Sequence, residues 1–525
     1  MNIKRTKEEI KNTIQAYLEK DEFGTYAIPV IRQRPILLLG PPGIGKTQIM
    51  EQVSKECGIA LVSYTITHHT RQSAIGLPFI SKKQYDGTEY AVTEYTMSEI
   101  VGAVYEKMEQ TRLREGLLFL DEINCVSETL APAMLQFLQC KSFGSHKIPE
   151  GWVIVAAGNP PEYNKSVREF DVVTMDRVKK IEVGPDFLVW KEYAYQQGIH
   201  GAILSYLNTK KQNFYQMETT VDGRHFATPR GWEDLSELMK LYEKLGKDVD
   251  REVVAQYIQF PNIAKDFANY LELYQKYQTD YQLEEIFRGH LDEILLKKTA
   301  HASFDERISV LGLILARVNE ALEQAVRQEW QMEQMHRYLS EFKTLAGSGA
   351  GKEDVPRKHE TAEVKGGEVE TACTESDSGQ QLFSGVLAKL QAEYARQEKA
   401  ELLSRGETVQ YRRLIQSMEG FLQVLRLEGI TDRANAFARI RGLFAAENEK
   451  YEKQRQRACD CLEYAFDFLE GAFGAGQEMV MFITELNSNY DAVKFLEGYG
   501  CQRYYQYNQE LLFDEKRRKL LERIP

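Results

Sequence analysis

Short apolar runs recur at nearly even spacing along the first third of the chain: Ile36–Leu39, Ala60–Ile66, Leu117–Leu120, Trp152–Ala157 and Lys180–Val183. Each is too short for a helix, and helix-sized segments separate them. That alternation predicts a parallel sheet with helices packed on it. Residues 1–20 read as a short helix, and another begins near Lys46. Between the second run and a helix starting near Met97 lies FISKKQYDGTEYAVTEY. Its Asp86-Gly87 pair, between two alternating segments, predicts a β-hairpin.

After Val183 the period changes. Asp186–Gly198, Trp232–Leu245 and Phe267–Tyr281 carry apolar and aromatic residues at helical spacing, and residues 291–345 continue the pattern with Ile308, Leu311, Leu315, Val318 and Leu322 on one face. From Ala346 to Gln381 the composition turns to Gly, Ser, Thr, Glu and Lys without an aromatic residue. Such a segment cannot bury enough surface to offset the entropy of ordering, and it reads as a disordered linker with a reach of roughly 30 Å. Residues 382–525 are helical again, with stripes such as Leu414, Met418, Phe421 and Leu425, or Leu462, Phe466, Leu469 and Phe473.

The expected organisation is therefore an α/β domain over 1–184, a helical lid over 185–290, a helical extension over 291–345, the linker over 346–381 and a C-terminal helical domain over 382–525. At 525 residues several domains are the reasonable expectation. The opening MNIKRTKEEI is charged where a signal peptide needs an apolar run, and no stretch reaches bilayer-spanning length, so a cytoplasmic protein without a membrane anchor is expected. The net charge of −12 weighs against a sequence-blind nucleic-acid binder, which gains affinity from clustered Lys and Arg. The seven cysteines are scattered without the paired spacing of a zinc site and read as reduced thiols. Adjacent His68 and His69 would point to opposite faces of a strand, which disfavours a shared ion. The basic run Lys516-Arg517-Arg518-Lys519 suits a helix C-terminus.

Three strand ends carry chemistry. The first run leads into Gly40-Pro41-Pro42-Gly43-Ile44-Gly45-Lys46-Thr47, a complete G-x-x-x-x-G-K-T phosphate loop. Its glycines let backbone N–H groups curl around phosphates at the positive end of the following helix. Lys46 would reach the β- and γ-phosphates of ATP, and the Thr47 hydroxyl would hold Mg²⁺. A plain Gly-Pro turn is the competing explanation, but the strand before and the helix after are the context the motif requires. The third run ends in Asp121-Glu122, two carboxylates that are wasteful on a buried strand unless something cationic or reactive sits there. Asp121 would hold Mg²⁺ and Glu122 would activate the attacking water. The fourth ends in Gly158-Asn159-Pro160, good turn chemistry in isolation, yet an amide at that strand tip could also bond the γ-phosphate or the water. Two arginines rest on context: Arg177 in MDRV, and Arg230 in ATPR, where Thr228 could cap a helix and Pro229 open it.

The order GPPGIGKT, LLFLDE, AAGNP, MDRV and ATPR resembles that of AAA+ ATPases, in particular the MoxR branch, related to magnesium-chelatase motor subunits and MCM helicases. The hairpin after the second strand, approached through His68–Pro78, is similar to the insert that marks this clade. The resemblance spans roughly residues 20–290; MoxR proteins are typically shorter and end with the lid, so the rest of the chain is extra to it. It implies a five-stranded sheet, a hexameric ring, Asn159 as the first sensor, Arg177 as an arginine finger supplied to a neighbour (with Arg168 as second choice) and Arg230 as the second sensor. In this clade the lid is displaced, so Arg230 could serve its own subunit or the next. The resemblance further implies a chaperone-like ATPase that remodels a protein client, often one with a von Willebrand factor A domain. The competing expectations are a nucleic-acid motor, as in the helicase relatives, and a scaffold switched by nucleotide.

Overall fold

The computed structural model describes residues 1–68, 71–143, 146–163, 170–220, 223–347, 378–399 and 402–509. Arg168, His69, the basic run at 516–519 and positions 348–377 of the segment read as a linker lie outside them. The chain divides into two compact units, one of Met1–Asp280 with Ile308–Leu313, the other of Tyr281–Arg307 with the residues from Ile314 onward.

The first unit is built on the strands β1 (Ile36–Leu39), β2 (Ala60–Thr65), β3 (Pro78–Tyr85), β4 (Thr88–Tyr95), β5 (Gly116–Asp121), β6 (Ser142–Phe143), β7 (His146–Lys147), β8 (Trp152–Gly158), β9 (Lys179–Glu182), β10 (Gln216–Thr220) and β11 (Gly223–Ala227). Five of them form the expected sheet, in the order β2-β5-β8-β1-β9, with every pairing parallel. Alternate residues of each strand enter different layers. Leu117 and Phe119 join Ile36, Leu38, Val153 and Val155 under the helices Ile3–Leu18 and Lys46–Cys57. Leu118 and Leu120 join Leu37, Ile154 and Ala156 against Glu99–Thr111 and Ala131–Cys140. With both faces covered, the strands read as unbroken apolar runs rather than alternating ones. Because all five point the same way, their carboxyl ends share one edge, and the motif residues are brought there together.

The predicted hairpin is β3–β4, closed by Asp86 at φ 54° and Gly87 at φ 79°, both in the left-handed region that an Asp-Gly turn favours. A second hairpin, β10–β11, interrupts a stretch read as purely helical. The correction has a plain source: Asp222-Gly223 in the sequence is the same turn signal, masked by the helical periodicity on either side. Around it lie the helices Phe187–Gln196, Gly201–Thr209, Pro229–Lys244 and Pro261–Asp280. Asp186 caps the first by accepting from Leu188 N–H and Val189 N–H. Thr228 caps Pro229–Lys244 and Pro229 opens it, as the sequence predicts.

The second unit is helical. Met335, Phe342, Phe383, Leu390, Leu414, Met418 and Ile440 form one core where the 44-residue helix Phe304–Gly347 meets Gly379–Lys399, Arg405–Leu427 and the start of the 41-residue helix Arg433–Phe473. Farther along Arg433–Phe473, Phe466 stands edge-on to Phe482, ring centroids 5.4 Å apart. No described helix is long and apolar enough to cross a membrane.

A Cβ added at Gly116 would lie 2.6 Å from the Trp152 indole, itself 1% exposed. Gly116→Ala should therefore overpack the start of β5 and lower stability by about 1–3 kcal/mol, read as a reduced midpoint in urea denaturation at unchanged slope. An unshifted midpoint would contradict the tight packing at this strand start.

Candidate active site

At the end of β1 the chain must turn within six residues into the helix Lys46–Cys57. Gly43 at φ 75° and Gly45 at φ 91° make that turn in conformations L side chains rarely adopt. Gly40 is constrained from another side: a Cβ there would meet the Val183 carbonyl oxygen at 2.5 Å. The loop folds around its own lysine. Lys46 Nζ donates to Gly40 O at 2.8 Å, to Pro41 O at 2.8 Å and to Asn159 Oδ1 at 3.0 Å, and the residue is only 8% exposed. Burial pulls the ammonium pKa down to about 8; the nearby Asp121 and Glu122 carboxylates oppose that fall, and the Arg230 guanidinium adds to it.

The β5 terminus contributes two carboxylates in different settings. Asp121 Oδ2 accepts from Thr47 Oγ1 at 2.9 Å, and its Oδ1 accepts from the Glu122 backbone N–H at 2.9 Å. Glu122 sits at φ 56°, a strained conformation for a residue with a side chain, costing of order 1–3 kcal/mol. Backbone bonds on either side hold it there: Cys125 N–H donates to Glu122 O at 2.9 Å, and Ile123 N–H donates to Ala157 O at 2.9 Å. Its Oε2 accepts from the Thr67 hydroxyl at 3.1 Å, just beyond the end of β2. The glutamate is thus tethered to the turn that follows the neighbouring strand.

The motif residues from β1, β5 and β8 therefore meet, and Arg230 joins them. Its backbone N–H donates to Gly43 O at 3.3 Å, and it lines a cavity of about 370 Å³ with Gly43, Gly45 and Thr47 of the same chain. Arg177 does not join them. It ends the helix Val172–Arg177, is exposed, and donates from its guanidinium to Gln139 Oε1.

Sequence reasoning missed three supporting groups. Asn124, 4% exposed, donates from Nδ2 to Asn159 O at 2.8 Å and fixes the strand tip that carries the amide. Its own Oδ1 is buried with no partner among the described residues. Thr67 is the second, and the third is Glu233, which accepts from Tyr193 OH at 2.7 Å beside the cavity. None lies in a motif. The sequence offered no signal for Asn124 beyond its place two residues after Glu122, and none for the others.

Residues 36–175 match the model of the ATPase family associated with various cellular activities (AAA). The chain carries an AAA domain. The match begins with β1 and ends within the short helix that holds Arg177, so the AAA domain takes in the loop, both carboxylates and Asn159. Two mutants of RuvB from Thermotoga maritima are among the similar solved structures. One is 15% identical over 48% of this chain and 69% of its own, with a TM-score of 0.27. The other is 14% identical over 54% and 78%, with a TM-score of 0.28. No curated protein matches the chain.

Lys46 supplies a test of this geometry in the absence of any ligand. An unfolded lysine titrates near 10.4, against about 8 here, so between those values the unfolded chain binds more protons than the folded one. The Lys46 contribution to stability is therefore least favourable below pH 8 and improves as pH rises toward 10. Relative to Lys46→Met, the wild-type chain should therefore gain on the order of a few kcal/mol of stability between pH 7 and pH 10. Thermal or urea unfolding at the two pH values measures it; a gap independent of pH would contradict the burial of the charged group.

Proposed function

We propose that the chain is a Mg²⁺-dependent ATP hydrolase that works as a hexameric ring in the cytoplasm. The observation that carries this reading is the buried Lys46 ammonium, hydrogen-bonded by neutral oxygens of its own loop and Asn159, with Asp121 and Glu122 alongside. A cation removed from water calls for an anionic partner, and a triphosphate in the loop is that partner.

The residues fit both ligands. Gly40-Pro41-Pro42-Gly43-Ile44-Gly45 would cradle the phosphates, with Lys46 exchanging its carbonyl partners for β- and γ-oxygens. The Thr47 hydroxyl and the Asp121 carboxylate, 2.9 Å apart, are the hard oxygen donors that suit Mg²⁺. Mg²⁺ held there supplies charge neutralisation at the phosphates. Glu122, once it leaves Thr67, accepts the proton of the attacking water, and Asn159 holds that water or the γ-phosphate in line. Arg230 would stabilise the same phosphate; its contact with Gly43 of its own chain supports service to its own subunit. Arg177, exposed and bonded to Gln139, suits an arginine finger offered to a neighbour, which requires the ring.

The work done is remodelling of a protein client, in a chaperone-like role. The MoxR resemblance supports a client with a von Willebrand factor A domain. The hairpin β3–β4 favours a polypeptide over a nucleic acid: Lys82 pairs with Glu89 at 2.7 Å and Lys83 pairs with Glu94, while Ile80, Tyr85 and Tyr90 are more than half exposed. Cations already matched by carboxylates on the opposite strand have little to gain from backbone phosphates.

Glu122→Gln should keep Mg²⁺-dependent ATP binding but reduce phosphate release by about 10²–10⁴. Unchanged release would remove Glu122 from the chemistry. Arg177→Ala should slow turnover by about 10³–10⁵, equivalent to ~4–7 kcal/mol of barrier, while sparing ATP binding. Mixing Arg177→Ala with Lys46→Ala subunits should restore part of the activity, since one supplies an intact loop and the other an intact finger. Near-normal turnover by Arg177→Ala alone would sink the finger assignment.

A further inference from the structure

The cavity beside the phosphate loop extends past it, between the helices Ile3–Leu18, Lys46–Cys57, Phe187–Gln196 and Pro229–Lys244, and measures about 370 Å³. If the triphosphate takes the loop, the remainder of the nucleotide has to lie in this space. Two residues of one helix mark positions along it. Arg230 is tied through its backbone to Gly43 and so stands at the phosphate end. Glu233 is three residues on, hence on the same face and roughly 4.5 Å farther along the axis.

A carboxylate lining a cavity meant for a polyanion is unfavourable unless it meets hydrogen-bond donors. Glu233 is already positioned by two: Oε1 accepts from Tyr193 OH at 2.7 Å, and Oε2 accepts from Gln48 Nε2 at 3.5 Å, at the limit of such a bond. A carboxylate offers about four lone-pair sites, so accepting capacity is left over, and it can only accept. Of the nucleotide's own groups, the ribose hydroxyls are the donors nearest the phosphates. Lys4 and Lys7 also line the cavity but are paired with Glu192 and Glu56, so Glu233 depends on hydrogen-bond donors for its compensation.

We infer that Glu233 accepts a hydrogen bond from a ribose hydroxyl and selects ribonucleotides over deoxyribonucleotides at this site. Tyr193 is its positioning residue, fixing the carboxylate without touching the sugar. The inference rests on the nucleotide reading of the loop and deepens it. It is tested by calorimetric binding of ATP, 2′-deoxy-ATP and 3′-deoxy-ATP, each with Mg²⁺, to the full chain. A hydrogen bond to a charged acceptor is worth about tenfold or more in affinity, so wild type should bind ATP about tenfold more tightly than at least one deoxynucleotide. Glu233→Ala should weaken ATP to the level of that deoxynucleotide while leaving the deoxynucleotide within about twofold. The near-isosteric Glu233→Gln, whose fold is the safer, should narrow the ratio, and Tyr193→Phe should narrow it less. Equal affinity of wild type for all three nucleotides, or a ratio untouched in both Glu233 variants, would overturn the assignment while leaving ATP binding in place. Failure of any nucleotide to bind wild type would instead overturn the reading of the loop, and this inference with it.

Discussion

An ammonium group buried at the carboxyl edge of a parallel sheet sets the terms for everything around it. Two loop carbonyls and Asn159 accept hydrogen bonds from Lys46, the Asp121 and Glu122 carboxylates favour its charge, and even so burial depresses its pKa to about 8. The loop must therefore curl tightly enough to turn Gly40 O and Pro41 O inward, which is why Gly43 and Gly45 take left-handed conformations. Asn159 must reach in from β8, and Asn124 keeps it there by bonding its backbone carbonyl. Removing any of these acceptors leaves a buried charge with too few partners.

The sheet meets this demand through its topology. Parallel strands with both faces covered bury nearly every side chain, leaving only their ends to carry polar groups. The order β2-β5-β8-β1-β9 sets β8 between β1 and β5, so the loop, the Asp121–Glu122 pair and Asn159 come from neighbouring or next-neighbouring strands. The strained backbone of Glu122 belongs to the same arrangement. An extended residue there would continue β5, whereas the left-handed turn sends the chain off the edge. Thr67, just past β2 on the far side of β5, then receives the carboxylate.

Much of this was legible in the sequence because the decisive signals are local. Apolar runs of four to seven residues announce buried strands, GPPGIGKT announces a loop whose geometry its glycines dictate, and Asp86-Gly87 announces a turn. Thr228-Pro229 announced a helix start for the same reason. The β10–β11 hairpin escaped because helical periodicity flanks its turn signal. Thr67, Asn124 and Glu233 escaped for a deeper reason. Each is an ordinary polar residue whose role arises from a partner far away in sequence, and no local pattern distinguishes it from a solvated side chain. Arg177 and Arg230 show the same limit from the other direction. Both rested on resemblance, and only the folded chain separates the one tied to Gly43 of the loop from the one bonded to Gln139.

The central claim is that Lys46 is held ready for a triphosphate. Titrating the wild-type chain and Lys46→Ala with ATP, with and without Mg²⁺, in a calorimeter tests it most directly. Saturable binding of one nucleotide per wild-type chain is predicted, strengthened by Mg²⁺ and weakened on the order of 10²–10³-fold by the substitution. Equal binding by the two proteins, or none by wild type, would contradict it.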